Sequence, residues 1–259
     1  MIGNKKILAV ITARKGSKGI KGKNYRQLMG EPLFWWSVIA AQNSKYVDHI
    51  VISSNCENCK KIYDEYKILA EFSKEEFNVE WIQRPDEISG DLSKNEEALI
   101  HTIETLEEKF DIIVNLQPTS PCRLFGLLDK CLIEYHEGGY DSLLTGTKDT
   151  PFLWRKKNGK WTYPVDYNDC CDRKMRQEFK DDDMDSEMTL HDNGNLYITE
   201  SRILLDRKCR IGYNPCVFET KGINGLQIDE EFDFELIENM AKVKKLGSLI
   251  QLKKKLNGD

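Results

Sequence analysis

The sequence lacks a large charge excess, a long apolar run and a charged-then-apolar leader. Its net charge is only −5 across 259 residues, whereas a general nucleic-acid surface carries a marked basic excess. No uninterrupted apolar stretch reaches the roughly 20 residues that a membrane-spanning helix requires. We therefore expect a cytoplasmic protein that binds neither membranes nor nucleic acids. Many of its basic residues are concentrated in one early loop, which favours a local anion site.

The eight cysteines include only one close pair with metal or redox spacing, Cys56-x-x-Cys59. No second pair with zinc-ribbon spacing follows it, although Cys170–Cys171 and the interval from Cys209 to Cys216 leave a zinc site as a weaker alternative. A chain of this length with 40% hydrophobic residues does not need a disulfide framework. We therefore predict reduced thiols, several of them buried in the core.

Two common nucleotide-binding motifs are also missing. In a Walker A loop aligned on Gly22-Lys23, the first glycine position holds Ser17 and the final Ser/Thr position holds Asn24. In a dinucleotide fingerprint, Lys18 stands where the second glycine belongs. These residues disfavour both an ATPase and an NAD-dependent enzyme.

What the sequence does contain is a loop rich in glycine and lysine, directly after an apolar run. Ile7–Ala13 is typical of a buried strand, and Arg14–Asn24 adds three glycines and five cations. Glycines allow backbone N–H groups to turn toward a ligand, and cations neutralise negative charge. The loop therefore predicts a polyphosphate site. The alternative is a flexible basic loop with no ligand.

Short β-branched runs alternate with longer helical patterns through the first part of the chain. The predicted strands are Lys6–Ala13, His49–Ser53, Val79–Gln83, Asp111–Gln117 and Asp141–Thr147. The predicted helices are Leu33–Asn43, Cys56–Phe72, Lys94–Lys109 and Leu124–His136. This rhythm predicts an α/β fold, a Rossmann-like and mainly parallel sheet with helices on both faces. Ligands of such sheets bind at the carboxyl ends of the strands, where the first loop begins.

The alternation breaks between about residues 148 and 190, where aromatic and acidic residues follow no clear period. We interpret this segment as an insertion into a single domain spanning 1–259, with a short hairpin around Asn158-Gly159. A strand at Asn195–Thr199 resumes the core, and a helix follows at Asp229–Leu246. Irregular aromatic segments often form subunit contacts, so we expect a homodimer through the insertion.

Three further polar clusters follow predicted strands or precede a predicted helix. Arg84, in Gln83-Arg-Pro-Asp86, could reach a phosphate, although alone it would be an ordinary surface arginine. Gln117, in the segment from Asn115 to Arg123, offers an amide; the alternative is a turn in which Thr119 and Ser120 cap the next helix. Asp229 could bind a hard cation, and the alternative for it is a helix N-cap.

Taken in order, these segments resemble one known family. ITARKGSKGIKGKN is similar to the signature of the acylneuraminate cytidylyltransferases, the CMP–sugar acid synthetases. QRPDEISGD resembles the family's Arg-Pro-x-Glu segment, and LQPTSPCR resembles its Leu-Gln-Pro-Thr-Ser-Pro-x-Arg segment. DNGNLYI resembles its Asn-Gly-x-x-Tyr-Ile strand, and QIDEEFDFELIE its late Asp-x-Asp-x-x-x-Asp stretch. The resemblance runs from about Ile7 to Met240, and it is poor between residues 148 and 190.

The resemblance implies an enzyme that joins CTP to a sialic-acid-like 2-keto-3-deoxy sugar acid and releases pyrophosphate, with Mg²⁺ or Mn²⁺. It implies catalytic roles for Arg14 and Lys23, which would offset charge on the phosphates. The nucleotide-binding residues would be Arg14, Ser17, Lys18, Lys23, Asn24, Arg84 and Gln117, with Arg84 toward the base. The residues facing the sugar would be Gln117, Asn193 and Arg176, and the metal ligand would be Asp229.

The chain departs from the family pattern at two places. Gln227 replaces the first acid of the Asp-x-Asp pair, which weakens a metal site built on two carboxylates. His191-Asp192 stands where Arg-Pro is expected, so the acceptor pocket would differ. Two alternatives therefore remain: a CTP-dependent transferase for an eight-carbon or other acid, and a catalytically weak nucleotide-binding homologue.

Overall fold

The alternating apolar runs of the sequence form one mixed sheet with helices packed on both faces. The computed structural model describes residues 1–17, 19–74, 76–148, 154–164 and 190–242. The strands are β1 (Ile7–Thr12), β2 (Gln27–Leu28), β3 (Glu31–Pro32), β4 (His49–Ser54), β5 (Val79–Gln83), β6 (Ile112–Leu116), β7 (Ser142–Lys148), β8 (Trp154–Lys157), β9 (Lys160–Pro164), β10 (Leu190–Glu200) and β11 (Pro215–Thr220). The helices are α1 (Trp35–Gln42), α2 (Glu57–Ser73), α3 (Asn95–Thr105), α4 (Leu127–Glu137), α5 (Ser201–Arg207) and α6 (Glu231–Lys242).

The main sheet has seven strands in the order β11-β7-β10-β6-β1-β4-β5. Neighbouring strands are parallel throughout except at β10, which runs antiparallel to both β6 and β7. The carboxyl ends of the six parallel strands therefore meet at one edge, together with the beginning of β10. This arrangement confirms the predicted α/β fold and brings the loops after β1, β5 and β6 to the same side.

Alternating side chains of β1 supply the two faces of the core, because successive residues of a strand point to opposite sides. Ile7, Ala9 and Ile11 belong to one buried cluster, which also receives apolar residues from α1, α2, α4 and α6. Leu8 and Val10 belong to a second cluster, which receives residues from α3 and α5. A continuous apolar run such as Ile7–Ala13 is thus explained by burial on both faces.

Some element boundaries differ from the predictions. α3 ends at Thr105 rather than Lys109, because Leu106 turns extended (ψ 136). α4 begins at Leu127, and the residue before it, Gly126, has a left-handed φ of 78. The alternative in which Thr119 and Ser120 cap the next helix is therefore wrong: the segment that contains them is a loop against the sheet edge.

The structure adds α5 and β11, which the sequence analysis did not predict. α5 has only seven residues, too few for a helical period to stand out. β11 is an edge strand that pairs in parallel with β7, and its mixed burial leaves no clear alternation.

The predicted hairpin is present as β8 and β9, which pair antiparallel around a two-residue turn. Asn158 and Gly159 both have positive φ, as such turns require. The rest of the predicted insertion, 165–189, lies outside the described residues, and the limits of the domain at 1–259 stay a prediction. No helix in the described part of the chain is both long and apolar enough to cross a membrane.

Candidate active site

A cleft of about 340 Å³ opens at the carboxyl-terminal edge of the sheet. Its walls come from the loops after β1, β5 and β6, from the start of α3 and from the connection between α5 and β11. Five of the described lining residues are cations and none of them is acidic: the cations are Arg14, Lys23, Arg84, Lys94 and Arg210. The lining therefore favours an anionic ligand.

Two glycines allow the first loop to lie against neighbouring backbone. At Gly19, an added Cβ would stand 2.1 Å from the backbone carbonyl oxygen of Asp229, so only glycine fits there. Gly22 has a φ of +70, and its Cβ would stand 2.4 Å from the ring of Tyr25. Ile20, only 1% exposed, anchors the middle of the loop in the core. The loop is thus packed in place and not a free basic segment.

Lys23 is a buried lysine on the cleft wall, with 9% of its surface exposed. Its Nζ donates to the carbonyl oxygen of Ile228 at 2.7 Å and lies 3.2 Å from Asp229 Oδ1. The Ile228 N–H in turn donates to the carbonyl of Thr119 at 2.8 Å. One short segment therefore ties the first loop to the loop after β6, with the ammonium group of Lys23 at the junction.

Arg14, Ser17 and Asn24 also line the cleft. Arg14 Nη1 donates to Asp91 Oδ1 at 2.8 Å, and the amide of Asn24 donates to the backbone carbonyl of Arg14 at 3.0 Å. Asn24 therefore links the end of the first loop to its beginning. Lys18, the remaining predicted contact in this loop, lies outside the described residues.

Arg84 is the most buried of the five cations, with only 5% of its surface exposed. Its Nε and Nη2 have no hydrogen-bond partner among the described residues. Burial, with the nearby positive charge of Arg14, lowers the pKa of the Arg84 guanidinium to about 10, so it stays protonated at neutral pH. A buried charge without compensation is unfavourable. Its presence in the wall of a cleft points to an anion that pairs with it.

Gln117 lies in the cleft at the end of β6, where a fully buried arginine holds its backbone. Arg123 donates to the carbonyl oxygen of Gln117 at 2.7 Å, to that of Asn195 at 3.0 Å and to Ser37 Oγ at 2.9 Å. Burial lowers the pKa of Arg123 to about 9. The arginine of the Leu-Gln-Pro-Thr-Ser-Pro-x-Arg segment therefore fixes the loop against β10 from below the cleft.

Asn193 is buried at the start of β10, and its side chain is hydrogen-bonded to three threonines and to the backbone N–H of Asn195. Its Oδ1 accepts from Thr145 at 2.8 Å, and its Nδ2 donates to Thr147 and Thr220 at 2.8 and 2.7 Å. A contact between this side chain and the sugar would require one of these hydrogen bonds to break. The Asn193 amide is therefore already engaged on both its oxygen and its nitrogen. Its predicted contact with the sugar stays a prediction.

Gln227 is also engaged, since its Nε2 donates to the backbone carbonyl of Asn193. The adjoining Gly194 has φ +60, and a Cβ there would stand 2.1 Å from Gln227 Nε2 and 3.2 Å from Gln117 Oε1. The amide nitrogen of Gln227 thus holds the backbone near the beginning of β10.

Asp229 presents a carboxylate that is 67% exposed, beside Lys23. The exposed N–H groups before α6 are capped by Asp233, whose Oδ2 accepts from the backbone of Asp229 and Glu230 at 2.8 Å each. The side chain that caps the start of α6 is therefore Asp233. The alternative in which Asp229 is the helix N-cap is wrong. No group of three or more His, Cys, Asp or Glu side chains suited to a metal occurs in the described ranges. Arg176 lies outside them.

The cleft lining also contains polar residues that the sequence analysis did not assign to the site: Thr12, Ser93, Lys94, Asn95, Thr119 and Arg210. Asn95 opens α3, and its amide donates to Asn115 Oδ1 at 2.8 Å. Arg210 stands in the connection between α5 and β11, a stretch with no motif or periodicity. Arg210 reaches the cleft because the chain after α5 packs against Tyr197 of β10. No local sequence signal could have predicted this contact.

The cysteines that the structure describes are free, which confirms the predicted reduced thiols. Cys56, Cys59, Cys122 and Cys131 are buried. A hydrogen bond from Cys59 lowers the pKa of Cys56 to about 6, and the same interaction with burial raises the pKa of Cys59. Burial raises the pKa of Cys122 to about 12.

We expect the double substitution Cys56→Ser and Cys59→Ala to leave the CTP-dependent turnover that the sequence resemblance implies within about threefold of wild type. The reason is that both thiols are buried and neither residue lines the cleft. Steady-state pyrophosphate release checks this, with the melting temperature as a control for packing. Complete loss of turnover in a folded double variant would instead favour the zinc or redox alternative.

A mainly parallel sheet with a cation-lined cleft at its carboxyl edge is typical of an α/β protein that binds an anionic ligand. The family model described as "Cytidylyltransferase" matches residues 8–256. The chain therefore belongs to the cytidylyltransferase family, as the resemblance of its motifs implied.

Individual relatives agree with this assignment. The chain is 29% identical over 238 residues to the N-acylneuraminate cytidylyltransferase A of Danio rerio, covering 90% of this chain and 50% of that protein. It therefore spans about half the length of that relative. It is 24% identical over 252 residues to the CMP-N,N'-diacetyllegionaminic acid synthase of Campylobacter jejuni, covering 93% of this chain and 97% of that protein.

A solved structure has the same fold at low identity. The CMP:2-keto-3-deoxy-manno-octonic acid synthetase complexed with CTP superposes with a TM-score of 0.65 at 14% identity, covering 93% of this chain and 100% of that one. This similarity supports the fold of the chain, independently of its motifs.

Proposed function

We propose that this cytidylyltransferase transfers the cytidylyl group of CTP to a sialic-acid-like 2-keto-3-deoxy sugar acid. The anomeric hydroxyl oxygen of the acid forms a bond to the α-phosphorus of CTP, and the bond from that phosphorus to the bridging oxygen breaks. The products are a CMP-sugar and pyrophosphate, and the hydroxyl proton is released. The neuraminic, legionaminic and pseudaminic types are the proposed acceptors.

The observation that carries this proposal is the buried Arg84 with two unpaired guanidinium nitrogens in the cleft wall. A triphosphate would supply the missing anion. Lys23 lies in the same cleft, fixed to the backbone of Ile228. Nucleotidyl transfer depends on positioning and charge neutralisation more than on covalent help from the protein, and rigidly held cations suit that requirement.

In this proposal Arg14 and Lys23 offset charge that builds on the phosphates and on the leaving pyrophosphate. Arg84, Ser17, Lys18, Asn24 and Gln117 complete the nucleotide site, with Gln117 also near the sugar. Asn193 and Arg176 are proposed on the sugar side. For Asn193 this requires the acceptor to exchange with one of its threonine bonds.

A divalent cation, Mg²⁺ or Mn²⁺, is proposed as the cofactor, and one described residue fits it. Mg²⁺ is commonly held by one or two carboxylates plus substrate phosphates, and the exposed Asp229 carboxylate beside Lys23 meets that minimum. Gln227 donates its amide Nε2 to the Asn193 carbonyl, so it can offer a cation only its neutral Oε1, which adds no negative charge. When bound, the cation would neutralise phosphate oxygens.

Two further proposals concern the protein's surroundings. We propose a homodimer that uses the segment between 148 and 190, of which the described part is the hairpin β8–β9. Light scattering at micromolar concentration checks it, and a monomer would contradict it. A cytoplasmic location is proposed from the enzyme's soluble substrates.

The function is tested with the full chain, CTP, Mg²⁺ and a set of acids, read by pyrophosphate release. The set contains N-acetylneuraminic, N,N'-diacetyllegionaminic and pseudaminic acids and an eight-carbon 2-keto-3-deoxy acid. We expect release only with CTP, metal and one or more nine-carbon acids. Turnover with the eight-carbon acid alone favours the first alternative, and thermal stabilisation by CTP without any turnover favours a weak homologue.

A further inference from the structure

Arg210 is held rigidly on the side of the cleft opposite the first loop, the one that follows β1. It follows α5, and its guanidinium carbon stands 4.2 Å from the centroid of the Tyr197 ring. Its Nε lies 3.2 Å from Glu96 Oε1 at the start of α3. Its backbone carbonyl accepts from Thr199 Oγ1 at 2.6 Å. Tyr197 on β10 and Glu96 on α3 therefore fix the guanidinium, and Thr199 on β10 holds the backbone of the same residue.

The ring beneath Arg210 is itself fixed in place. Tyr197 pairs with Asn115 in the register of β10 on β6, and its hydroxyl donates to both carboxylate oxygens of Asp192 at 2.9 and 3.0 Å. Burial, together with the Asp192 carboxylate, keeps the pKa of Tyr197 raised. The phenol therefore remains neutral and oriented.

The hydrogen-bonding capacity of Arg210 is only partly used. Its Nη1 is buried with no hydrogen-bond partner in the described part of the chain, although the residue lines the cleft. A guanidinium carries five N–H donors in a planar fork that matches a carboxylate. A pre-organised arginine with unpaired donors is suited to binding an anionic group of a ligand.

The position of Arg210 decides which ligand group it can reach. Tyr197 lies on β10, and β6 separates β10 from β1. Tyr197 is therefore about 10 Å, or two strand spacings, from β1, the strand that precedes the first loop. Arg14, Lys23 and Arg84 follow β1 and β5 in the cleft wall, and they are the cations proposed above for the triphosphate. The second substrate of the proposed reaction therefore occupies the β6–β10 side, and its anionic group is a carboxylate.

We propose that Arg210 binds the carboxylate of the acceptor acid and so orients its attacking hydroxyl toward CTP. This inference rests on the proposed function and adds a specificity-determining residue to it. Glu96 and Tyr197 act as positioning residues, because they hold the guanidinium and lie behind it.

The test combines Arg210→Met with a change in the substrate. The acid with the highest kcat/KM in the set above is compared with its C1 methyl ester, which keeps the anomeric hydroxyl and loses the negative charge. For wild type we expect the ester to be on the order of 10- to 100-fold poorer in kcat/KM, the range for a hydrogen-bonded charged group. For Arg210→Met we expect a similar loss with the acid, mainly as a higher acceptor KM, and little further loss with the ester.

The matched control is Arg207→Met. Arg207 belongs to the same region and lies over the Tyr213 ring at 4.0 Å, but it does not line the cleft. We expect it to keep the wild-type preference for the acid. The affinity for CTP alone, measured by titration calorimetry, is expected to be unchanged in both variants.

Three results would overturn the inference while leaving the proposed function intact. Equal losses with acid and ester in Arg210→Met would assign the residue a structural role. A weaker affinity for CTP would move it to the nucleotide side, and unchanged kcat/KM values with both acid and ester would remove it from recognition. Absence of turnover by the wild-type protein with every acid would instead overturn the proposed function, and this inference with it.

Discussion

Substituting Lys23 with Ala is expected to lower kcat for pyrophosphate release by about 10²- to 10³-fold, the range seen when a pre-organised electrostatic donor is removed. The ammonium group is held on the cleft wall by the Ile228 carbonyl and by Asp229. It is therefore in place before any substrate arrives, and no reorganisation is needed as charge builds on the phosphates. Steady-state kinetics with saturating CTP and acceptor measure the effect.

The fold of the Lys23→Ala variant is expected to survive. The substitution leaves the buried Ile228 carbonyl without its donor, which costs about 1–3 kcal/mol. For a chain of this size, that lowers Tm by about 2–4 °C per kcal/mol. Lys21→Ala is the matched control, since Lys21 belongs to the same loop but is exposed. Near-normal turnover by a folded Lys23→Ala variant would remove the assigned role of the loop.

For Arg84→Met we expect opposite effects on the free and the CTP-bound protein. The free protein loses a buried guanidinium whose Nε and Nη2 have no described partner, so its Tm should equal or exceed that of wild type. The apolar stem is retained by Met, which limits any loss of packing. CTP affinity should fall by about 10- to 100-fold, because hydrogen bonds between charged groups are lost.

Differential scanning fluorimetry with and without CTP, together with calorimetry, separates the two effects. Wild type at a CTP concentration of 100 times Kd should gain about 2.7 kcal/mol of stability, and at the same concentration about half or more of this gain should vanish in Arg84→Met. Arg202→Met is the control, because its ion pair with Glu200 is exposed and distant from the cleft. A variant that melts lower but binds CTP normally would show that Arg84 supports the fold alone.

Local patterns predicted the scaffold well, for an identifiable reason. The runs that became β1, β4, β5, β6 and β7 are short and rich in apolar residues buried by the sheet, so composition and length both indicate strands. Asn158-Gly159 predicted its hairpin because a two-residue turn requires positive φ at both positions. α5 and β11 gave no such signal, being respectively too short and too weakly alternating.

The motifs located the cleft but not the partners of each side chain. Lys23, Arg84 and Gln117 follow different strands, and a parallel sheet necessarily gathers strand ends at one edge. Asn193 and Gln227 are different. Their amides bond to threonines and to a backbone carbonyl, partners that are distant in sequence, so their identity alone suggested contact with ligands.

The sequence by itself determined the class of this protein: apolar strands that end in glycine, lysine and arginine specify a parallel sheet with an anion-binding edge. Only the tertiary structure decided how each charge is used. Lys23 is fixed by a carbonyl 205 residues away. Arg84 has two nitrogens with no partner in the described part of the chain, and Arg210 packs over Tyr197 of β10 on the other side of the cleft. Pairing and burial depend on contacts between distant segments, which local residue patterns do not encode.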